Sequence, residues 1–295
     1  MSESVLAGKR GRPMEAFLMA AVYGAAGLSV FLLVSIIGYV FFRGFRHLSF
    51  RFFTTVTSAL RGTVGIAGNL VNTLYIIAIT LLIVIPVGVG GAIYLNEYAG
   101  RGRLVRLIEF AAETLAGIPS VVFGLFGMVF FGGVLGLGYS LLNGALTLTL
   151  MVLPLIMRNT QEALRAIPDS YRKAALGMGA TRWYMIRTVL LPSAMPGILT
   201  GAILAAGRIV GESAALLFTA GSARFLPKLT GSLWGNLEEL GQKVLEPGGT
   251  LTMELYLQTE NGEYGTAFGI GCVLIIIALL TNLLLKLAVH KIQET

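Results

Sequence analysis

Residues 168–192 read PDSYRKAALGMGATRWYMIRTVLLP and lie between two long apolar stretches of the chain. Pro168 ends one helix, and Asp169 or Ser170 can cap the helix that follows. Gly179 lies just beyond that helix and allows a sharp bend before the chain turns apolar again. The segment therefore predicts a short helix between two membrane-spanning segments.

One face of this short helix is apolar and built from small residues. Its apolar residues fall at i, i+3, i+4 and i+7, and they are Tyr171, Ala174, Ala175 and Met178. A small-residue face is suited to close packing in the groove of another protein. A solvated hairpin at the membrane interface would show the same pattern, and the spacing alone favours neither interpretation.

The chain outside this segment is dominated by apolar stretches of about 18 residues or more, the length that spans a bilayer. Six such stretches are predicted, near 16–42, 70–95, 107–135, 140–157, 194–220 and 265–289. Three charged residues, Arg106, Glu109 and Glu113, lie at the start of the third stretch, so only its later part is fully compatible with lipid. The first is longer than the apolar part of a signal peptide, and we expect a retained membrane anchor.

The composition agrees with an all-α integral membrane protein. Of the 295 residues, 55% are apolar and 13% are charged, and the mean hydropathy is +0.79. A soluble protein carries about a quarter charged residues. The net charge of +7 is concentrated in loops, so we expect contact with the lipid bilayer and no nucleic-acid partner.

Lysine and arginine counts set the expected orientation in a bacterial or archaeal plasma membrane. With both termini in the cytoplasm, fourteen of these residues lie in inner segments and seven in outer segments, as the positive-inside rule requires. Four arginines between the first two spans oppose the rule, and their role is left open: Arg43, Arg46, Arg51 and Arg61.

The fifth apolar stretch contains the charges Arg208 and Glu212. A charge at the centre of a membrane helix costs about 2.5–3.5 kcal/mol on insertion scales. Residues four apart lie on one helix face, so the two side chains can reach each other. They form either a structural ion pair or an anion contact on a transport path.

A helix breaker, Gly117-Ile118-Pro119, lies within the third stretch and is followed by Ser120. Ser120 can cap the next helix, whose positive end would then face an anion path. The alternative is a plain kink between a surface helix and a span.

The sequence carries little that could serve an enzyme or a metal site. No G-x-x-x-x-G-K-[ST] segment is present, so we expect no ATP hydrolysis by this chain itself. The chain has two histidines, and Cys272 is its one cysteine. We expect no catalytic residue, no metal and no cofactor.

Residues 221–264 form the longest loop, about 40 residues, with helical spacing of leucines in its first half. It either docks a soluble partner or caps the helices. We divide the chain into an N-terminal tail, first span and outer loop (1–65), a main transmembrane domain (66–290) and a C-terminal tail (291–295).

The loop at about 160–192 resembles the EAA loop of binding-protein-dependent ABC importer permeases. That motif reads E-A-A-x-x-x-G and, nine residues later, I-x-L-P; the chain has Lys173-Ala174-Ala175, Gly179 and, after nine residues, Val189 to Pro192. Lysine replaces the glutamate and valine the isoleucine. The resemblance implies a type I, MetI-like fold in which Tyr171, Lys173, Ala174, Ala175 and Gly179 form a coupling helix for an ATPase.

Two further segments are similar to the permeases of phosphate-specific (Pst) importers, and to their PstA-type subunit in particular. They are AGIPSVVFG at 116–124 and GRIVGESAALLFTAG at 207–221. The resemblance implies a PstC-type second permease, a PstB-type ATPase dimer that binds ATP and a PstS-type phosphate-binding protein. Arg208, Glu212 and Ser120 would then belong to the phosphate path.

Two other functions remain open at the level of sequence. The cargo of such a permease could be molybdate, tungstate or sulfate. The chain could also be a stand-alone ion-coupled transporter, although such proteins usually show internal repeats or several membrane carboxylates. An accessory protein that only anchors partners would not need an intramembrane arginine.

Overall fold

The computed structural model describes residues 13–58, 63–100, 102–227 and 233–293. Within these ranges the protein is helical, apart from one short antiparallel pair of strands, β1 (Val56–Ser58) and β2 (Thr63–Ile66). The all-α expectation is confirmed. Several basic residues used to assign orientation lie outside the described residues: Lys9, Arg10, Arg12, Arg61, Arg101 and Lys228.

In the part of the chain that the structure describes, the α-helices form thirteen segments. They are α1 (Pro13–Gly44), α2 (Phe50–Thr54), α3 (Ala67–Ile93), α4 (Arg103–Gly117), α5 (Ser120–Gly127), α6 (Leu141–Arg165), α7 (Asp169–Gly177), α8 (Arg182–Met185), α9 (Leu191–Gly211), α10 (Ala214–Thr219), α11 (Leu233–Lys243), α12 (Leu251–Glu260) and α13 (Tyr264–Gln293). A single 3₁₀ turn, Phe45–His47, follows α1.

Wider π-helical turns extend three of these helices. They are Tyr94–Tyr98 after α3, Met128–Val134 after α5 and Ile186–Leu190 before α9. Such turns are rare and often accompany functional positions.

Five described helical segments are long and apolar enough to cross a membrane. They are Glu15–His47, Ala67–Tyr98, Leu141–Arg165, Arg182–Gly211 and Tyr264–Leu283. A sixth span results if the bent pair of α4 and α5 is counted as one. The prediction of about six transmembrane helices is therefore confirmed.

The third predicted stretch is two helices and not one. The segments Arg103–Gly117 and Ser120–Val134 meet at an angle of 103°. Pro119 cannot donate a backbone hydrogen bond and forces Ile118 into an extended conformation, with φ −75° and ψ 133°. The charged half of the stretch thus forms the amphipathic helix α4, and only the apolar half continues as a span.

The fifth predicted stretch is also broken. Its helix α9 ends at Gly211, and Glu212 is extended, with φ −84° and ψ 128°. A separate short helix, α10, then begins at Ala214. The expectation of one continuous helix to residue 220 was wrong, because the chain has polar partners at this break that replace the lost helical hydrogen bonds.

Helix α6 forms the centre of the bundle and packs between α3 and α9. Its buried core residues include Leu148, Val152 and Ile156, which contact Val84 of α3 and Ala205 of α9 within one apolar cluster. Burying a leucine or isoleucine of this kind contributes about 1.5–3 kcal/mol in water-soluble proteins. In lipid, the same close fit contributes mainly through van der Waals contacts.

Glycine sets the distance between α6 and α9. A Cβ atom built on Gly201 would lie 2.8 Å from the Cβ of Asn159, and one on Gly197 would collide with Ala163. The two glycines have G-x-x-x-G spacing, which permits such a close approach of two helices. A second pair with this spacing, Gly207 and Gly211, has no described atom within 4 Å of a built Cβ, so that face of α9 is open.

Helix α1 lies along the outside of the bundle against α13. Gly44 allows α1 to approach the backbone of Phe268, and the thiol of Cys272 donates to the carbonyl of Val40 at 3.3 Å. Cys272 is buried, as expected of a small core residue.

The long loop after α10 folds back over the helix ends. The amide of Leu141 donates to Glu246 O at 3.0 Å, and the amide of Gly248 donates to Ala220 O at 2.8 Å. In α12, Glu254 is 1% exposed and accepts from Nε of Arg224 at 2.7 Å. Of the two expectations for this loop, capping of the helices is observed; its predicted leucine pattern forms α11, and residues 228–232 lie outside the described residues.

Gly201→Ala should destabilise the chain because the added methyl group must fit between α6 and α9. Overpacking of this kind costs about 1–3 kcal/mol. The measurement is the free energy of unfolding of the purified chain in detergent, by denaturant titration. Gly207→Ala is the matched control, which should be neutral or stabilising by up to about 1 kcal/mol because Ala favours helices; equal losses in both variants would contradict the packing described here.

Candidate functional site

A cavity of about 340 Å³ opens between α4, α6 and α9. It combines charged and apolar walls, and its lining residues include Glu109, Glu113, Met151, Pro154, Arg158, Gln161, Glu162, Arg165 and Arg208. Along α6 the lining runs from Met151 to Arg165, a distance of about 20 Å at 1.5 Å per residue. The cavity therefore connects the middle of the bundle with the end that carries α7.

Arg208 lies at the inner end of this cavity, in the last turn of α9. Its side chain is exposed and makes no ion pair or hydrogen bond with any other described residue. The predicted ion pair with Glu212 is not formed. The reason is the break in the helix: Glu212 lies outside α9, so the i,i+4 geometry on which that prediction depended does not exist.

Glu212 instead stabilises the break between α9 and α10. Its Oε1 accepts from the amide of Ala215 at 3.1 Å, in the first turn of α10. Its backbone carbonyl accepts from the hydroxyl of Thr252 at 2.8 Å. Glu212 is therefore committed to backbone groups that would otherwise lose their hydrogen bonds inside the membrane.

Ser120 is the first residue of α5, and Pro119 occupies the N-cap position without any side-chain cap. The predicted capping role of Ser120 was therefore wrong, and Ser120 is not among the residues that line the cavity. The kink between a surface helix and a span, which was the alternative, matches the observed backbone.

Ion pairs between α4 and α6 form one wall of the cavity. Nη2 of Arg165 lies 2.9 Å from Oε1 of Glu109, and Nη2 of Arg158 lies 3.6 Å from Oε1 of Glu113. These arginines are at least 60% exposed, so the pairs are weak. Sequence reasoning did not single out this wall, although Glu109 and Glu113 are one helical turn apart and so share a face of α4.

The predicted coupling helix is present as α7. Pro168 occupies its N-cap position and no side chain caps it, so the expected cap by Asp169 or Ser170 was wrong. The helix ends at Gly177, and Gly179 adopts a positive φ of 84°, as the bend requires.

The small-residue face of α7 is divided between the protein's own core and the surface. Ala175 is buried against Leu164 and Met185 in a second apolar cluster, whereas Tyr171, Lys173 and Ala174 are exposed. Further large side chains extend the exposed surface, and they are Leu176, Met178, Trp183 and Tyr184. Ala175 therefore holds α7 in place, and its neighbours form an exposed, largely apolar surface.

Arg172 and Glu97 form a link that sequence reasoning missed. Nη2 of Arg172 lies 2.9 Å from Oε1 of Glu97, and the two side chains are 17% and 6% exposed. Hydrogen bonding to Glu97 is the main effect that raises the pKa of Arg172. The two residues are 75 positions apart, so no local spacing in the sequence points to their contact.

The family described as "Binding-protein-dependent transport system inner membrane component" matches residues 85–294. This chain belongs to that family. It is thus the membrane component of an ABC importer, and such permease subunits are not themselves enzymes. Membership implies two kinds of partner, an ATPase and a substrate-binding protein.

Individual relatives show which kinds of permease this chain is similar to. The chain is 40% identical over 263 residues to the probable ABC transporter permease protein YqgI of Bacillus subtilis, which covers 88% of this chain and 89% of the relative. It is 36% identical over 178 residues to the phosphate transport system permease protein PstA of Xylella fastidiosa, which covers 60% and 62%. PstA 1 of Mycobacterium tuberculosis is 37% identical over 171 residues, or 56% of each chain.

Solved permeases share the fold at low sequence identity. A bacterial alginate ABC transporter in complex with its periplasmic protein superposes with a TM-score of 0.64 at 17% identity, over 96% of this chain and 99% of that chain. An inward-facing MetNI methionine ABC transporter gives a TM-score of 0.57 at 22% identity, over 77% and 94%. The expected MetI-like permease fold is confirmed.

Two matched substitutions test the contrast between exposed and buried ion pairs. Glu109→Gln should change the free energy of unfolding by less than about 1 kcal/mol, because its partner Arg165 is solvated. Glu254→Gln should cost about 3–5 kcal/mol, because it leaves Arg224 without its buried counter-charge. Denaturant titration of both variants in the same detergent measures the difference, and equal effects would contradict the burial described here.

Proposed function

We propose that this chain is a transmembrane permease subunit of an ATP-driven importer of inorganic phosphate and forms half of the translocation path. The observation that carries the proposal is Arg208, a cation without a described partner at the inner end of a cavity within the membrane bundle. The similarity to PstA proteins of two genera supports phosphate as the cargo.

The chemistry of a guanidinium suits phosphate. It is always protonated, and its N–H groups match the oxygens of a tetrahedral anion in pairs. In a bundle that excludes much of the water, such contacts are stronger than in solution. An unpaired arginine at this depth is costly, and a passing anion would offset that cost for as long as it is bound.

Glu212 does not neutralise Arg208 in the structure. On the sequence alone, Glu212 could form an ion pair with Arg208. Its carboxylate holds the start of α10 instead, so Arg208 is available without a competing acid. In this proposal Glu212 contributes to the path by stabilising the break between α9 and α10 beside Arg208. Ser120 contributes to the path as part of the neighbouring break at Pro119.

The carboxylates of α4 and α6 keep the rest of the cavity from trapping the anion. Arg158 and Arg165 attract phosphate, while Glu109, Glu113 and Glu162 lie within 4 Å of them and reduce that attraction. A transporter needs such shallow binding along its path, because a deep well would hold the ion.

Sidedness follows from placing α7 in the cytoplasm, with both termini on the same side. Tyr171, Lys173 and Ala174 would then contact the ATPase, while Ala175 and Gly179 fix the position and the end of the helix. The loop after α10 would face the binding protein. The open face of α9 at Gly207 and Gly211 would meet a PstC-type second permease, so that two chains enclose the path.

The ATPase would be a PstB-type dimer that binds ATP, and the binding protein would be PstS-type. Two observations leave room for another oxyanion: the name of the relative YqgI carries no substrate, and the fold is shared with transporters of methionine and alginate. Molybdate, tungstate and sulfate are therefore outcomes of the test below.

Arg208→Gln should abolish phosphate uptake because the amide cannot replace a charged bidentate donor. Losing contacts of this kind costs about 2–5 kcal/mol where they are buried. The measurement is uptake of labelled phosphate by membrane vesicles that contain the assembled transporter, with assembly checked by co-purification of the ATPase.

Arg106→Gln is the matched control for this variant. Arg106 lies on α4, is exposed, forms no ion pair with a described residue and does not line the cavity. Uptake should be retained in this variant. Normal uptake by an assembled Arg208→Gln transporter would refute the assignment of Arg208.

Competition between anions tests the cargo itself. Excess unlabelled phosphate should suppress uptake of labelled phosphate, whereas equal concentrations of sulfate, molybdate or tungstate should have little effect. Each of these ions should also be tried as labelled substrate. Preferential uptake of one of the other oxyanions would keep the path and change the substrate.

A further inference from the structure

The guanidinium of Arg172 joins three separate elements of the fold. Nε and Nη2 donate to the carboxylate of Glu97, in the π-helical turn that ends the α3 span, at 2.9–3.3 Å. Nη2 also donates to Leu164 O and Nη1 to Ile167 O, both at 2.9 Å and both at the end of α6. Arg172 itself belongs to α7.

All five N–H donors of Arg172 are engaged. Nη1 makes its remaining contact with Oδ1 of Asp169 at 3.2 Å, and a guanidinium has five donors in a fixed planar arrangement. Oε1 of Glu97, which accepts from Nη2 of Arg172, also accepts from Nδ2 of Asn96 at 2.7 Å. No other residue type provides this number of directed donors, so the link is specific to arginine.

The burial of this pair argues for a role beyond stability. Buried ion pairs are weak evidence for stability, because apolar residues of similar volume often stabilise a protein as well or better. The region already has such packing: Ala175, Leu164 and Ile186 form a closed apolar cluster beneath α7. What the ion pair adds is a fixed orientation of α7 relative to two membrane spans.

Both linked spans reach the path. Helix α6 lines the cavity that ends at Arg208, and α3 packs against another face of α6, where Gly88 meets Ile156. Leu95, two residues before Glu97 in the same π-helical turn, also lines the cavity. A displacement of α7 can therefore be passed to the walls of the cavity through this single ion-pair link.

We propose that Arg172 and Glu97 are positioning residues that make α7 and the adjoining ends of α3 and α6 move as one body. Through them, movement of the ATPase at the exposed surface of α7 is passed to the spans that enclose the path. This inference rests on the proposed role of α7 in contacting the ATPase and is independent of the identity of the anion.

The test uses the complete transporter in vesicles and three variants: Glu97→Gln, Arg172→Gln and the double variant. The readout is phosphate transported per ATP hydrolysed, which a purely structural role would leave unchanged in assembled complexes. We expect this ratio to fall about tenfold in each single variant while ATP hydrolysis continues. The double variant should be no worse than either single one, because both remove the same link.

Asp169→Asn is the matched control, since Asp169 is 82% exposed and contacts only Nη1 of Arg172; its transport ratio should stay at that of the unaltered protein. The double variant leaves no uncompensated buried charge, so it tests the link even where a single variant fails to assemble. An assembled double variant with an unchanged transport ratio would overturn the proposal. A double variant that cannot bind the ATPase would also overturn it, because the link would then serve docking alone.

A second readout does not depend on phosphate. A spin label at Val87→Cys, on the exposed side of α3 and in a Cys272→Ala background, should change its signal when ATP and vanadate trap the ATPase. Loss of that response in the double variant supports the link, and an unchanged response contradicts it. If the unaltered transporter takes up no phosphate, the proposed substrate fails while this measurement still decides the role of Arg172.

Discussion

A helix in lipid must satisfy its backbone hydrogen bonds internally, and this requirement explains where the chain is polar. The two breaks in its spans, at Pro119 and at Glu212, lie close together because α5 packs against α10, with Gly124 against the backbone of Ala215. Irregular backbone at membrane depth is tolerated only where protein or a cavity surrounds it. The carboxylate of Glu212 and the hydroxyl of Thr252 supply the missing partners, and Arg208 lies one turn away.

Buried ion pairs stabilise the two ends of the bundle, whereas the ion pairs along the cavity are exposed to solvent. At one end Glu254 and Arg224 fasten the loop after α10, and at the other Glu97 and Arg172 fasten α7. Both acids are almost completely buried, so their hydrogen bonds are strong and directional. The pairs along the cavity, such as Glu109 with Arg165, are solvated and contribute little.

The features that could be predicted from the sequence are those that depend on local pattern. The six apolar stretches predicted the spans. The spacing of Ala174, Ala175 and Gly179 predicted α7 and the bend at its end. The close contact at Gly197 and Gly201 also follows from a four-residue spacing. The prediction that Arg208 and Glu212 could form an ion pair was wrong because it assumed that the fifth apolar stretch is one continuous helix. The caps assigned to Asp169, Ser170 and Ser120 were wrong because a proline occupies the N-cap position in each case.

Hydropathy and spacing alone thus determined that this chain is a helical membrane protein with a short surface helix and an arginine in an apolar stretch, since both signals are carried by neighbouring residues; that it is a permease was implied by the resemblance of its motifs to a known family. Only the tertiary structure decided which charges meet. Arg172 and Glu97 are 75 residues apart, and Glu109 and Arg165 are 56 apart; their pairing depends on how α3, α4 and α6 cross. Contacts between helices are set by packing in three dimensions, and no periodicity along one helix contains that information.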